Sequence, residues 1–172
     1  MRTSRQLLFG LLAALGLAAG ARDLQVGMPA PDFTARDQNG AVVRLGDFRG
    51  RLNVVLYFYP KDGTPGCTAE ACSLRDGYAA IKAAGAVVLG VSSDPVDRHA
   101  AFASKHQLPF TLLADPHGTE LIKPYGVWVP VLGIASRVTF VIDKGGIIRD
   151  IVEKVDTARH DQQVLASLRK LS

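Results

Sequence analysis

Residues 52–59 read LNVVLYFY, and Pro60 follows. The run is apolar, β-branched and aromatic on successive residues rather than alternate ones. A strand with that pattern is buried on both faces, which is the habit of the inner strands of a parallel sheet. Four residues past Pro60 the chain reads Thr64-Pro65-Gly66-Cys67, and the spacing becomes helical. A buried strand that turns directly into a capped helix is the start of a βαβ unit. It commits the chain to an α/β sheet.

The rest of the chain agrees. AVVLGVS (86–92) and FTLLAD (110–115) predict two further buried strands. Residues 64–84 predict a helix, with Ala71, Leu74, Tyr78 and Ile81 three or four apart and Gly85 as the stop. Residues 94–108 predict a second helix, with Asp94 as cap and Pro95 in the first turn. TELIKPYG (119–126) predicts a short helix broken by Pro124. RVTFVID, KGG and IIRDIVE (137–153) predict a strand–turn–strand hairpin. Residues 157–171 predict a closing helix with Ala158, Val164, Leu165, Leu168 and Leu171 on its apolar side. Near the start, QNG (38–40) predicts a β-hairpin. The expected fold is one α/β domain over residues 22–172: a central mixed sheet with helices on both faces and an N-terminal hairpin.

Residues 1–21 predict a signal peptide instead. Arg2 and Arg5 precede an uncharged run of 13 residues (7–19), and Ala19-Gly20-Ala21 supplies small residues for cleavage. The run is shorter than the roughly 20 residues a membrane span requires. Export, to a bacterial periplasm, is the expectation, with no stable membrane association after cleavage. The formal charge of +4 is scattered, which argues against a nucleic-acid surface.

The chain has two cysteines, Cys67 and Cys72. With Thr64 as N-cap and Pro65 first, Cys67 is the third helical residue, facing the unsatisfied N–H groups and the positive end of the helix dipole. That setting favours the thiolate, the nucleophilic form. Cys72 lies on the same helix, and five helical residues separate the Cα atoms by roughly 8.6 Å. A disulfide needs about 4.4–6.8 Å. The pair cannot close while the helix is intact, so the spacing suits a cysteine oxidised first and captured after the helix frays. His99, His106, His117 and His160 are dispersed, with no metal-ligand spacing to the cysteines. Most are expected at the surface. No metal or cofactor is expected, and Glu70 and Arg75 read as solvated helix residues or an ion pair.

YFYPKDGTPGCTAEACSLRD (57–76) resembles the active-site segment of the peroxiredoxins, in particular the Q or bacterioferritin-comigratory type. The P-x-x-x-T-x-x-C core is Pro60, Thr64 and Cys67. YGVW (125–128) and RVTFVIDKGG (137–146) match in kind and order. The resemblance implies a thioredoxin-like fold and a thiol peroxidase acting on hydroperoxides without a cofactor. Cys67 would be the peroxidatic cysteine and Cys72 the resolving one. Thr64 would hydrogen-bond the peroxide, Arg137 would favour the thiolate, and Pro65 would shield the sulfur. A thioredoxin-like dithiol would be the reductant, and a monomer is expected. The stretch VPVLGIAS (129–136) is shorter and less polar than that type leads one to expect. The alternative is an exported thiol–disulfide carrier of the thioredoxin type, which would want C-x-x-C. A copper-binding redoxin would want C-x-x-x-C and a histidine before Arg137, and neither is present.

Overall fold

A computed structural model describes residues 24–171, so the leader expected at 1–21 lies outside the described residues. Nine strands and four α-helices follow in chain order. β1 (Thr34–Asp37) and β2 (Val42–Arg44) form the predicted hairpin. Gly40 at its turn has φ +79°, and Asp37 Oδ1 accepts the Asn39 and Ala41 N–H groups. β3 (Asn53–Phe58), β4 (Ala86–Ser92) and β5 (Thr111–Ala114) are the three buried runs, and they pair in parallel. β6 (Trp128–Val129) and β7 (Ile134–Ala135) make a small separate hairpin. β8 (Val138–Ile142) and β9 (Ile148–Val152) are antiparallel to each other, and β8 is antiparallel to β3. The main sheet has the order β2-β1-β5-β4-β3-β8-β9.

This order decides where the helices go. From β3 through β4 to β5 the chain steps in one direction, so right-handed crossovers place their helices on the same face. α1 (Pro65–Asp76), α2 (Tyr78–Ala83) and α3 (Val96–His106) lie there, and α4 (His160–Arg169) joins them. Leu74, Ile81, Phe102, Val164 and Leu168 pack on Val55, Tyr57, Val88 and Val141. The opposite face, with Leu56, Phe58, Leu89 and Phe140, is covered without an α-helix, so the α-helices expected on both faces lie, among the described residues, on one. A 3-10 turn at Leu45–Phe48 and the segment carrying Leu121, Ile122, Tyr125 and Val127 cover the other.

Four expectations change in detail. Residues 119–126 form successive turns rather than a helix. The buried Asp115 carboxylate accepts the N–H groups of Glu120, Leu121 and Ile122 and binds this stretch to the end of β5. The second helix begins at Val96 with Pro95 as N-cap. Asp94 instead turns inward and accepts from Ser92 Oγ and the Asp62 N–H. The helix over 64–84 is divided at Gly77, where a Cβ would stand 2.5 Å from Asp161 Cβ. Only a glycine lets α4 begin so close. Ala158 precedes α4 and is exposed, whereas His160 and Ser167 join Val164 and Leu168 in burial.

Candidate active site

β3 delivers Tyr57 and Tyr59 to the helical face of the sheet, and the chain then turns through Pro60–Gly63 into α1. Thr64 is the N-cap residue and Pro65 the first helical residue, as predicted. The Thr64 hydroxyl does not cap the helix. It donates to the Lys61 carbonyl at 3.2 Å. Pro60 is half-buried and Pro65 exposed. Cys67, the third helical residue, is 1 % exposed, and its sulfur lies at the amino end of α1.

Arg137, immediately before β8, reaches the same point from 70 residues away. Its Nη2 donates to Cys67 Sγ at 3.3 Å. Its Nη1 donates to Glu70 Oε2. Glu70 is three residues beyond Cys67, so both occupy one face of α1 and one guanidinium spans them. Half-burial pulls the Arg137 pKa down, but the Glu70 carboxylate and the hydrogen bond to Cys67 outweigh it and hold it above its ordinary value. The guanidinium is a fixed positive charge at the sulfur.

Behind Glu70 stands His160, the first residue of α4, fully buried. Its Nδ1 is 3.1 Å from Glu70 Oε1, and its Nε2 is 3.0 Å from Thr139 Oγ1 on β8. The Nδ1–Oε1 distance is that of an ion pair, but the angle is not that of a hydrogen bond. Among the described residues, these two atoms and Tyr57 Oη are the buried side-chain polar atoms without a hydrogen-bond partner. Burial raises the Tyr57 phenol well above its ordinary pKa, and the negative charges at Glu70, Asp62 and Cys67 add to this, so it stays neutral.

A second buried pair flanks the loop before α1. His99 Nδ1 is 2.8 Å from Asp62 Oδ2, and its Nε2 is 3.2 Å from the Leu113 carbonyl oxygen. Asp62 Oδ1 accepts from Tyr59 Oη at 2.7 Å.

The structure therefore brings Cys67 and Arg137 together as expected, with Thr64 one turn before the sulfur. Cys72 does not touch Cys67. It is half-buried on the same continuous helix, and both cysteines are free. Three expectations fail. Glu70 is 0 % exposed rather than solvated, and Arg75 is not its partner, since it bonds Asp76 and the His106 carbonyl. Two of the four histidines, His99 and His160, are core residues rather than surface ones. The i, i+3 spacing of Cys67 and Glu70 was a usable signal for Glu70. Nothing near His160 in the chain pointed to it. Among the described residues no group of three or more His, Cys, Asp or Glu side chains is arranged to hold a metal.

The stretch before Arg137 is the β6–β7 hairpin. Ala135 is buried and Trp128 half-buried under Lys123, whose Nζ lies 4.9 Å from the indole centroid. Val131 and Leu132 at the tip are 94 % and 66 % exposed.

The sequence profile of the AhpC/TSA family matches residues 26–151, which hold Thr64, Cys67, Glu70, Cys72 and Arg137 and end before His160. The chain belongs to the AhpC/TSA family. Within it, the relatives are peroxiredoxins of the Q or bacterioferritin-comigratory type. The chloroplastic peroxiredoxin Q of Oryza sativa subsp. japonica is 44% identical over 147 residues, covering 84% of this chain and 67% of the longer plant protein. The peroxidoxin BcpB of Mycobacterium tuberculosis superposes with a TM-score of 0.81 at 35% identity, covering 87% of this chain and 99% of its own. The bacterioferritin comigratory protein of Xanthomonas campestris, solved in work on its alkyl peroxide reduction activity, gives 0.76 at 31% identity, covering 87% of this chain and 98% of its own. This member of the AhpC/TSA family is a peroxiredoxin with a thioredoxin-like fold, and its chemistry is that of a thiol-dependent peroxidase.

Proposed function

We propose that the protein reduces hydrogen peroxide and organic hydroperoxides with Cys67 as nucleophile. The observation that carries this reading is the Arg137 guanidinium 3.3 Å from a sulfur seated at a helix N-terminus. The Cys67 thiolate attacks the terminal peroxide oxygen. The O–O bond breaks, and the departing alkoxide or hydroxide takes a proton to become alcohol or water. The sulfur is left as a sulfenic acid. Arg137 lies where it can hold both the thiolate and the negative charge that develops on the peroxide oxygens. The Thr64 hydroxyl, one turn before, turns from the Lys61 carbonyl to donate to the incoming peroxide. Pro60 and Pro65 bracket the turn that carries it.

Cys72 is the resolving cysteine. Its thiolate attacks the sulfenic sulfur, forming the disulfide and releasing water. Both cysteines lie on one α-helix, so α1 must unwind at its amino end for this step. A thioredoxin-like dithiol then reduces the disulfide by exchange. The protein acts as a monomer, exported by the basic, apolar and small-residue pattern of residues 1–21. Fractionation of cells producing the full chain tests the location.

The deciding experiment mixes the reduced protein with peroxide and counts thiols. The wild type loses two thiols per chain rapidly. Cys67→Ser loses peroxide reduction altogether, because a serine hydroxyl is a poor nucleophile at neutral pH. Cys72→Ser completes one turnover and stalls as a sulfenic acid that excess peroxide over-oxidises. Retained turnover in Cys67→Ser removes the assignment.

A further inference from the structure

Cys67, Arg137 and Glu70 pose a charge problem. Once the thiol has ionised, two negative groups share one guanidinium, and a net negative charge sits in a site where Cys67 and Glu70 are 1 % and 0 % exposed. An unbalanced buried charge is costly, and such sites acquire a compensating partner. Glu70 also divides the attention of Arg137. Whatever neutralises Glu70 from behind returns the guanidinium to the sulfur.

His160 stands at that position. Its Nδ1 and Glu70 Oε1 are two buried polar atoms without a hydrogen bond, and each is the other's neighbour at 3.1 Å. A proton placed between them serves both. The other ring nitrogen faces a hydroxyl, Thr139 Oγ1 at 3.0 Å. A threonine hydroxyl donates to a neutral imidazole nitrogen or accepts from a protonated one. His160 therefore keeps its second partner in either charge state. The groups facing it are few. Glu70 comes from α1 and Tyr57 from β3, whose ring centroid is 6.1 Å away and whose phenol is neutral. Arg137 and Cys67 lie beyond Glu70. Asp161 is turned to Ser73, and Asp150 on β9 to Ser167 and Lys170.

We propose that His160 is a positioning residue for the peroxidatic thiolate, gaining a proton beside Glu70 as Cys67 loses one. The S–H bond of Cys67 breaks and an N–H bond forms on the imidazole: the neutral ring holds its proton at Nδ1 beside Glu70, the new N–H is at Nε2, and the Thr139 hydroxyl turns from donor to acceptor. No electron changes hands. The buried row then reads thiolate, guanidinium, carboxylate, imidazolium, and it is neutral. With the imidazolium behind it, Glu70 anchors Arg137 without drawing its charge away from the sulfur.

This inference rests on Cys67 as the nucleophile, and its test separates the two. In a Cys72→Ser background Cys67 is the one remaining thiol, and its alkylation by iodoacetamide is followed across pH. His160→Gln should slow alkylation at neutral pH about tenfold, move the profile to higher pH, and lower the second-order rate with hydrogen peroxide by the same factor. Far-UV circular dichroism should be unchanged. His160→Asn carries the same test if the glutamine variant does not fold. The double variant Glu70→Gln, His160→Gln removes one negative and one positive charge together. It should recover alkylation to within about threefold of the parent, because the charge balance is restored. A wild-type pH profile in both His160 variants overturns the proposal. So does a double variant slower than His160→Gln alone. Failure of the nucleophile assignment looks different: peroxide turnover survives Cys67→Ser, while the alkylation profiles still report the coupling.

Discussion

The two buried histidines lie on either side of the start of α1, and they differ in how each ring nitrogen is met. Both are 0 % exposed, and each has a carboxylate at Nδ1, Asp62 for His99 and Glu70 for His160. His99 Nε2 faces a carbonyl oxygen, which can only accept, whereas His160 Nε2 faces a hydroxyl. Acceptors face both nitrogens of His99, and Asp62 also accepts from Tyr59. That side is a closed hydrogen-bonded pair clamping the turn before α1 to α3 and β5. The Glu70 side leaves atoms unbonded and a partner that works both ways. The contrast separates a buried pair that holds structure from one that can respond.

The largest expected effect breaks the closed side. His99→Leu leaves the buried Asp62 carboxylate without its histidine partner and should cost about 3–5 kcal/mol of folding stability in urea denaturation. A loss below about 1 kcal/mol would show that the pair is no clamp. The next sharpens the open side. Gly77→Ala drives a methyl into Asp161, the neighbour of His160, and should cost about 1–3 kcal/mol. Its rate with peroxide should fall as well, whereas a change confined to the His99 side would spare the rate per folded molecule. Stopped-flow rates and a urea titration on the same sample decide it.

The smallest effect is expected at Tyr57, one of two stacked tyrosines, Tyr57 and Tyr59, whose ring centroids are 5.2 Å apart. The Tyr59 hydroxyl donates to Asp62, so Tyr59→Phe should cost about 1.5–3 kcal/mol. The Tyr57 hydroxyl has no partner, so Tyr57→Phe should change stability by less than about 1 kcal/mol, or raise it. Equal losses in the two denaturation curves would mean that the two sides are alike.

The sheet was readable in the sequence because its inner strands are continuous apolar runs, and a run needs no distant information to be recognised. The same is true of Thr64-Pro65-Gly66-Cys67, where capping and helix-start preferences act within four residues. Residues 119–126 misled because an apolar, helix-like spacing was overruled by Asp115, one buried carboxylate taking three amides. Glu70, His99 and His160 looked like surface residues because charge and polarity predict exposure unless a partner is known. Their partners stand at Arg137, Asp62 and Thr139, and the first of these is 67 residues away. Burial of a charge is a property of a pair, and pairs distant in the chain are made only by folding.

Ser73 and Asp161 bond each other twice, hydroxyl to carboxylate at 2.8 Å and amide to hydroxyl at 3.1 Å, and Gly77 seats the same aspartate. These contacts pin α1 to α4 just beyond Cys72. The pin sets a tether length. Fully extended, the six residue steps from Cys67 to Ser73 span about 20 Å. Cys67 can thus swing outward on a short leash while the rest of the domain keeps its shape. In the proposed cycle a partner dithiol meets the oxidised sulfur at the surface, within a radius fixed by where the helix is tied down.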